Sequence, residues 1–312
     1  MSSFPVLGNI SAQQFLAEYW QKKPLLIRNA IPNFQPPVDG NDLAGLALEP
    51  DVESRLVVGS DWQIEQGPFE EQRFQSLPER DWTLLVQAVD LWIPEVADIL
   101  DHFGFLPRWR IDDIMVSYAA DGGNVGPHYD NYDVFLIQGE GQRQWSVGGL
   151  CDQNSALLPH SNLRILADEP SNQQWTLNCG DMLYLPPKYS HHGVAIGECT
   201  TYSIGFRAPT VTEMLDDLTT ELMSNGKNND TFKDPPLTPD MANQPISSAY
   251  LEQIRALLNK TLDDDELLIN WFAQFMTQPK YPELVDETGE CREVTIRVTS
   301  DTETEYANGQ AQ

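Results

Sequence analysis

Positive charge is what this chain has least of. Lys and Arg number 19 against 47 Asp and Glu, a formal net charge of −28. A field of that sign repels nucleic acid and anionic membrane and attracts basic partners. Direct nucleic-acid binding is therefore not expected, and a basic protein partner gains weight. Cysteine is sparse too. Cys151, Cys179, Cys199 and Cys291 form no C-x-x-C pair, which argues against a Cys-rich zinc site and fits reduced thiols in a cytoplasm. No apolar run approaches the roughly 20 residues needed to cross a bilayer. The opening residues carry neither the basic stretch nor the apolar run of a signal peptide. A soluble, cytoplasmic protein without a membrane partner is expected.

What is present is the material of a packed core: 41% hydrophobic residues, with 8 Trp, 12 Phe and 10 Tyr in 312 residues. That length holds one large β-rich domain and a smaller helical annex. Ser11 with Gln14 resembles a capping box and predicts a helix with Phe15, Leu16, Tyr19 and Trp20 on one face, ended by Lys22-Lys23-Pro24. Leu25-Leu26-Ile27 reads as a buried strand, and Trp82 to Ile99 as another amphipathic stretch. Short strand-like runs then follow one another: Ile114–Tyr118, Tyr132–Gln138, Gln144–Val147, Leu163–Leu166, Trp175–Leu177, Met182–Leu185, Gly193–Ile196 and Thr201–Phe206. Their spacing, with Gly, Pro, Asn and Asp between them, indicates a β-barrel or β-sandwich without choosing between the two. After Pro209 the pattern turns helical. Met214, Leu215, Leu218 and Leu222 fit a helix opened by Thr210 or Thr212, and further helices are predicted near Ser247–Leu262 and Asp264–Met276. The tail is acidic, with a hairpin strand predicted at Val294–Val298 and a returning strand near Tyr306.

Chemistry concentrates in Gly126-Pro-His-Tyr-Asp130. In an extended strand residues i and i+2 share a face, so His128 and Asp130 can bind one ion together. A third ligand should come from a strand distant in sequence but adjacent in space, and the segment Gly180–Gly193 offers His191 or His192. Two imidazoles and one carboxylate leave open positions of the kind that non-haem Fe(II) oxygenases use. An isolated H-x-D is nevertheless common as a plain hydrogen-bonded pair, and His102 and His160 have no ligand-like setting. An oxoacid co-substrate would need a cation for its far carboxylate. Arg143, if it faces inward, brings Trp145 and Val147 with it by alternation, and Ser117 or Tyr118 could add a hydroxyl.

Several multi-residue motifs occur together in one order: Phe15–Arg28, Trp109–Ser117, Gly126–Gly139, Gly180–Pro187 and Tyr202–Pro209. In these the chain resembles the JmjC-type, cupin-like oxygenases, and among them the bacterial ribosomal oxygenases. The resemblance implies metal ligands at His128, Asp130 and His191, with His192 in a non-ligand place. It implies oxoacid binding by Arg143 and Ser117. The fold it implies is mainly β with helical additions: a double-stranded β-helix over residues 1–209, a helical dimerisation region over 210–278, and an incomplete winged-helix-like module over 279–312. The implied activity uses Fe(II), 2-oxoglutarate and O2 to hydroxylate an arginine of large-subunit ribosomal protein sixteen, in a homodimeric enzyme. An acidic pocket would suit a guanidinium, and Asp112, Asp113 and Asp133 are the acids nearest the core motifs. The alternatives are the same chemistry on a histidine, asparagine or methyl-lysine, and a cupin-like binding protein without turnover.

Overall fold

A computed structural model of the chain describes residues 5–159, 162–168, 172–225, 230–239, 241, 244–284, 296–297 and 305–311. The chain divides into two compact units, Met1–Ala208 and Pro209–Gln312. No helix among the described residues is long and apolar enough to cross a membrane.

The first unit is built on β1 (Leu25–Ile27), β2 (Ser54–Val58), β3 (Gln63–Gln66), β4 (Trp82–Val86), β5 (Ile111–Ala119), β6 (Val134–Gln138), β7 (Gln142–Leu150), β8 (Gln173–Asn178), β9 (Met182–Leu185), β10 (Tyr189–Ile196) and β11 (Cys199–Phe206). Eight of these strands form one antiparallel sheet in the order β1-β9-β6-β11-β5-β4-β2-β3, and β10-β7-β8 form a second. Strand β6 shows why the sheets pair face to face. Its sequence, Val-Phe-Leu-Ile-Gln, has no polar alternation, and all five residues are buried. Successive side chains point to opposite faces, so such a run suits only a strand covered on both sides. Val134 and Leu136 meet Trp145, Val147 and Leu177 of the smaller sheet. Phe135 and Ile137 lie in the other core, with Phe15, Leu43, Leu100 and Phe103. This is the mainly β, cupin-like architecture expected from the sequence.

Short helices cover that outer face: α1 (Ala12–Glu18), α2 (Gly40–Leu46), α3 (Glu71–Gln75), α4 (Val89–Trp92) and α5 (Pro94–Ala97). Ser11 caps α1 as predicted, its side chain accepting from the Gln14 N–H at 3.1 Å. Phe15 is fully buried, but Leu16 points outward and is 39% exposed, so the apolar face is narrower than the sequence suggests. Three further readings are corrected. The stretch from Trp82 begins as a strand, because β4 pairs with both β2 and β5. Leu163–Leu166 is not a regular strand: it pairs through the isolated Leu157–Leu166 bridge, and the Leu166 N–H donates to the Pro127 carbonyl at 2.7 Å. Tyr132 and Asp133 precede β6 and do not belong to it.

In the second unit α6 (Val211–Asn225), α7 (Ser248–Leu262) and α8 (Asp265–Thr277) follow the predicted helices closely. Thr210 opens α6 in a reciprocal cap: its Oγ1 accepts from the Glu213 N–H, and the Glu213 carboxylate accepts from the Thr210 N–H. Leu218 is buried on α6, whereas Leu215 is exposed. Asp217 of α6 accepts from Trp271 Nε1 at 2.7 Å and from Gln278 Nε2 at 3.0 Å, tying α6 to α8. The strands β12 (Ile296–Arg297), β13 (Glu305–Ala307) and β14 (Gln310–Ala311) form a small antiparallel sheet. The chain does turn back at Tyr306. The remaining residues of the Val294–Val298 prediction, with Cys291 and His160, lie outside the described residues.

Candidate functional site

Between the two sheets of the first unit lies a cavity of about 320 Å³. His128, Asp130 and His191 meet at its wall, with one potential ligand atom from each within 4.8 Å of the others. The H-x-D segment is not the strand that spacing suggested. It is an irregular loop held to β10 by a two-bond bridge, His128 N–H to His191 O at 3.0 Å and His191 N–H to His128 O at 2.8 Å. The His191 and Asp130 side chains approach to 3.5 Å, and the two imidazole centroids lie 4.3 Å apart. Alternation along β10 turns His192 away, and its Nε2 donates to Asn124 Oδ1 at 3.1 Å.

Local hydrogen bonds set the tautomer of both rings. Nδ1 of His128 donates to the Gly126 carbonyl at 2.9 Å, and Nδ1 of His191 to the Tyr189 carbonyl at 3.0 Å. Each Nε2 is thereby left as a lone pair, and a partner on the other ring nitrogen is the usual way a metal-binding imidazole is oriented. Burial, reinforced by His128, pushes His191 down to about 4, so the ring is neutral and able to ligate at neutral pH. Tyr132 was not anticipated. Its phenol donates to the Asp130 carboxylate, and that charge holds the phenol protonated well above its ordinary range. The alternation 128, 130, 132 was the available signal.

Two glycines permit the geometry. Gly126 has φ +77°, and a Cβ there would meet Ile165 Cδ1 at 2.6 Å. A Cβ on Gly193 would strike the Trp145 ring at 2.7 Å.

Arg143 does face inward, together with Trp145 and Val147, and it is 4% exposed. Its Nε and Nη2 have no hydrogen-bond partner among the described residues, and the guanidinium lies 5.9 Å from the Trp145 ring centroid. In the β7–β10 register Val147 pairs with His191 and Arg143 with Ala195. The guanidinium is thus rooted four residues of strand, ~13 Å, from the triad. Of the two hydroxyls considered, Ser117 lines the cavity. Tyr118 packs on the opposite face against Trp82. The acids proposed for a guanidinium-binding mouth are not among the lining residues. Asp112 pairs with Arg207, Asp113 is buried and accepts from Gln87, and Asp133 is buried against Tyr184 and Gln21. Among the described residues Asp130 is the one acid in the lining, and Arg55 and Arg164 join Arg143 as cations.

The donor set suits a divalent transition metal with open positions, and a buried, unpartnered guanidinium in the same cavity suits a carboxylate. The sequence profile of the JmjC domain matches residues 98–214, which hold the whole triad and Arg143. A profile of AraC-like ligand binding domains matches residues 171–271 and takes in only His191 of the three. The Escherichia coli "Ribosomal protein uL16 3-hydroxylase" is 36% identical over 86% of this chain and 71% of its own length. The chain belongs to the JmjC-type ribosomal oxygenases. Within this family, the Haemophilus influenzae "Probable ribosomal oxygenase" is 44% identical over 67% of the chain. The chain spans about half the length of that relative, 53%. A solved structure of YcfD, described as a ribosomal oxygenase from Escherichia coli in complex with cobalt and 2-oxoglutarate, superposes with a TM-score of 0.82 at 32% identity. The match covers 97% of this chain and 86% of YcfD.

Proposed function

We propose that this chain is an Fe(II)- and 2-oxoglutarate-dependent protein hydroxylase of a large-subunit ribosomal protein, with uL16 as substrate and an arginine as target. The observation that carries the reading is the His128–Asp130–His191 cluster facing the same cavity as an orphaned, buried guanidinium. In this reading the three clustered residues hold iron, and Arg143 with Ser117 holds the far carboxylate of 2-oxoglutarate. When bound, iron and oxoacid supply the oxidising chemistry, in which O2 adds one oxygen atom to a substrate C–H bond and 2-oxoglutarate leaves as succinate and carbon dioxide. The protein's own part is positional. Backbone carbonyls orient both imidazoles, Tyr132 steadies the Asp130 carboxylate, and Arg143 offsets the negative charge of the co-substrate. Val134, Leu136 and Trp145 give the cavity an apolar wall that limits water near the reacting carbon.

The choice of uL16 rests on the named activity of the Escherichia coli relative, and the choice of arginine on the family resemblance. The net charge of −28 favours encounter with a basic ribosomal protein. A ribosomal substrate also implies a cytoplasmic enzyme. A homodimer is part of the same reading. Helix α7 has no buried residue, and Leu251, Ile254, Leu258 and Leu262 are exposed along one side of it, as an apolar stripe that a second copy would cover.

The test is to incubate the protein with Fe(II), 2-oxoglutarate, air and uL16, and to map the product by peptide mass. One added oxygen on an arginine, absent without 2-oxoglutarate, is the expected result. The same gain on a histidine or asparagine, or loss of a methyl from a lysine, would keep the chemistry and replace the target. Bound metal and bound 2-oxoglutarate without turnover on any ribosomal protein would favour a binding protein.

A further inference from the structure

Ser117 has a neighbour of its own kind. In the β11–β5 register Thr201 stands directly opposite Ser117, so both side chains rise from the same face of the large sheet, and both line the cavity. Thr201 is 2% exposed, and its Oγ1 has no hydrogen-bond partner among the described residues. Buried hydroxyls are nearly always satisfied, by a nearby carbonyl if by nothing else. One left open toward a cavity marks a place where a ligand atom belongs.

The orphaned guanidinium lies at the same end. Ala195, the cross-strand partner of Arg143, packs against Ala119 and Cys199. Those two residues face each other in the β5–β11 register, one step along from the Ser117–Thr201 pair. Thr83 Oγ1 is also unpartnered and also lines the cavity, but it stands opposite Ala119 and so only diagonal to Ser117, whereas Thr201 is the direct cross-strand neighbour of Ser117. A carboxylate offers about four lone-pair sites, enough for Arg143, Ser117 and one more donor.

We propose that Thr201 is a third holder of the oxoacid's far carboxylate, its hydroxyl donating to one carboxylate oxygen beside Arg143 and Ser117. This rests on the oxoacid reading above. Thr201 then acts on co-substrate affinity and on selection for a dicarboxylate, and has no part in holding iron.

The test is Thr201→Val, which removes the hydroxyl and keeps the shape. Binding of 2-oxoglutarate to the cobalt-loaded protein is measured by calorimetry, with thermal melting of the ligand-free protein alongside. The hydrogen bond is to a charged group, so affinity should fall roughly ten- to hundredfold, while cobalt affinity stays unchanged. The ligand-free variant should melt higher, because an unsatisfied buried hydroxyl has gone. A threonine that merely supports the fold would move the melting temperature the other way. Thr201→Ser should retain affinity within about threefold, since it keeps the donor. Pyruvate, which lacks the far carboxylate, should bind wild type and Thr201→Val alike. Equal 2-oxoglutarate affinity for wild type and Thr201→Val would overturn the assignment alone. A joint loss of cobalt binding and melting temperature would overturn it in favour of a structural role. Failure of the wild type to bind 2-oxoglutarate would bring down the oxoacid reading with it.

Discussion

Replacing Asn124 by alanine is expected to weaken metal binding about tenfold, although Asn124 is not a ligand. Its Oδ1 accepts from Trp62 Nε1 at 2.7 Å, from the Gly126 N–H at 2.9 Å and from His192 Nε2 at 3.1 Å, and its Nδ2 donates to Gly122 O at 2.9 Å. The peptide of Gly126 links this hub to the triad, because its carbonyl accepts from His128 Nδ1 at 2.9 Å. Asn124→Ala removes four neutral hydrogen bonds, each worth about 0.5–1.5 kcal/mol net. Asn124 is only half-buried, so water recovers part of that loss, and a destabilisation of about 2–3 kcal/mol is expected. Loss of a group that directly orients a metal ligand typically costs 10- to 100-fold in affinity. Asn124 acts one peptide away from His128, which sets the effect at about the lower end of that range. Anaerobic titration with Fe(II) or Co(II), with thermal melting beside it, measures both quantities. Trp62→Phe is the internal control: it leaves two of the three donors on Oδ1, so it should cost about 1 kcal/mol and leave metal affinity within about twofold. The reasoning fails if Asn124→Ala binds metal as wild type does, or if Trp62→Phe loses as much metal affinity as Asn124→Ala.

Phe135 is fully buried, within 4.8–6.4 Å of six other aromatic rings, so Phe135→Ala should cost about 3–5 kcal/mol in urea denaturation; a loss under about 1 kcal/mol would mean the core collapses around the gap. Asp181 is pushed up by burial, but N–H donors from Asn178, Asn29 and Arg28 outweigh this and hold its pKa below the ordinary value. A depressed carboxylate contributes stability that is present above its unfolded pKa and lost as pH falls toward the folded one, so Asp181→Asn should flatten the fall in stability below about pH 4; an unchanged acid limb would remove Asp181 as its source. Leu258 is 59% exposed on α7, and Leu258→Glu should convert a homodimer to a folded monomer in light scattering, whereas a monomeric wild type would end the dimer reading.

The sequence was readable where one strand's own pattern decides its fate. The unbroken apolar runs of β6 and β9 identify them, because a strand covered on both faces has no polar side to show. The helices after Pro209 were readable for the same reason, carrying their periodicity within themselves, with side-chain caps at Thr210 and Asp264. Trp82–Val86 was not, since its apolar residues fit either period; only pairing with β2 and β5 makes it a strand, and both partners are distant in sequence. The candidate metal triad falls between these cases. Spacing brought out His128 and Asp130 and narrowed the third position to two adjacent histidines. What separates His191 from His192 is alternation along β10, anchored by the backbone bridge to His128, and no single segment contains that information.

Charge gives the clearest case of composition and site diverging. The whole chain is strongly acidic, which suggested acids at the cavity mouth as well, yet among the described residues the cavity is lined by Arg55, Arg143 and Arg164 with Asp130 the one acid. These are separate electrostatic problems. A charge on the exterior acts on a partner across water and is screened within about 8–10 Å at ordinary salt. A guanidinium in the interior is screened far less and interacts with a nearby anion much more strongly. An acidic exterior can therefore draw in a basic protein, while the cavity stays suited to a dianionic oxoacid that the exterior repels. Net charge reports the first property. Only the inward alternation of β2 and β7, which turns Arg55 and Arg143 toward the cavity, reports the second.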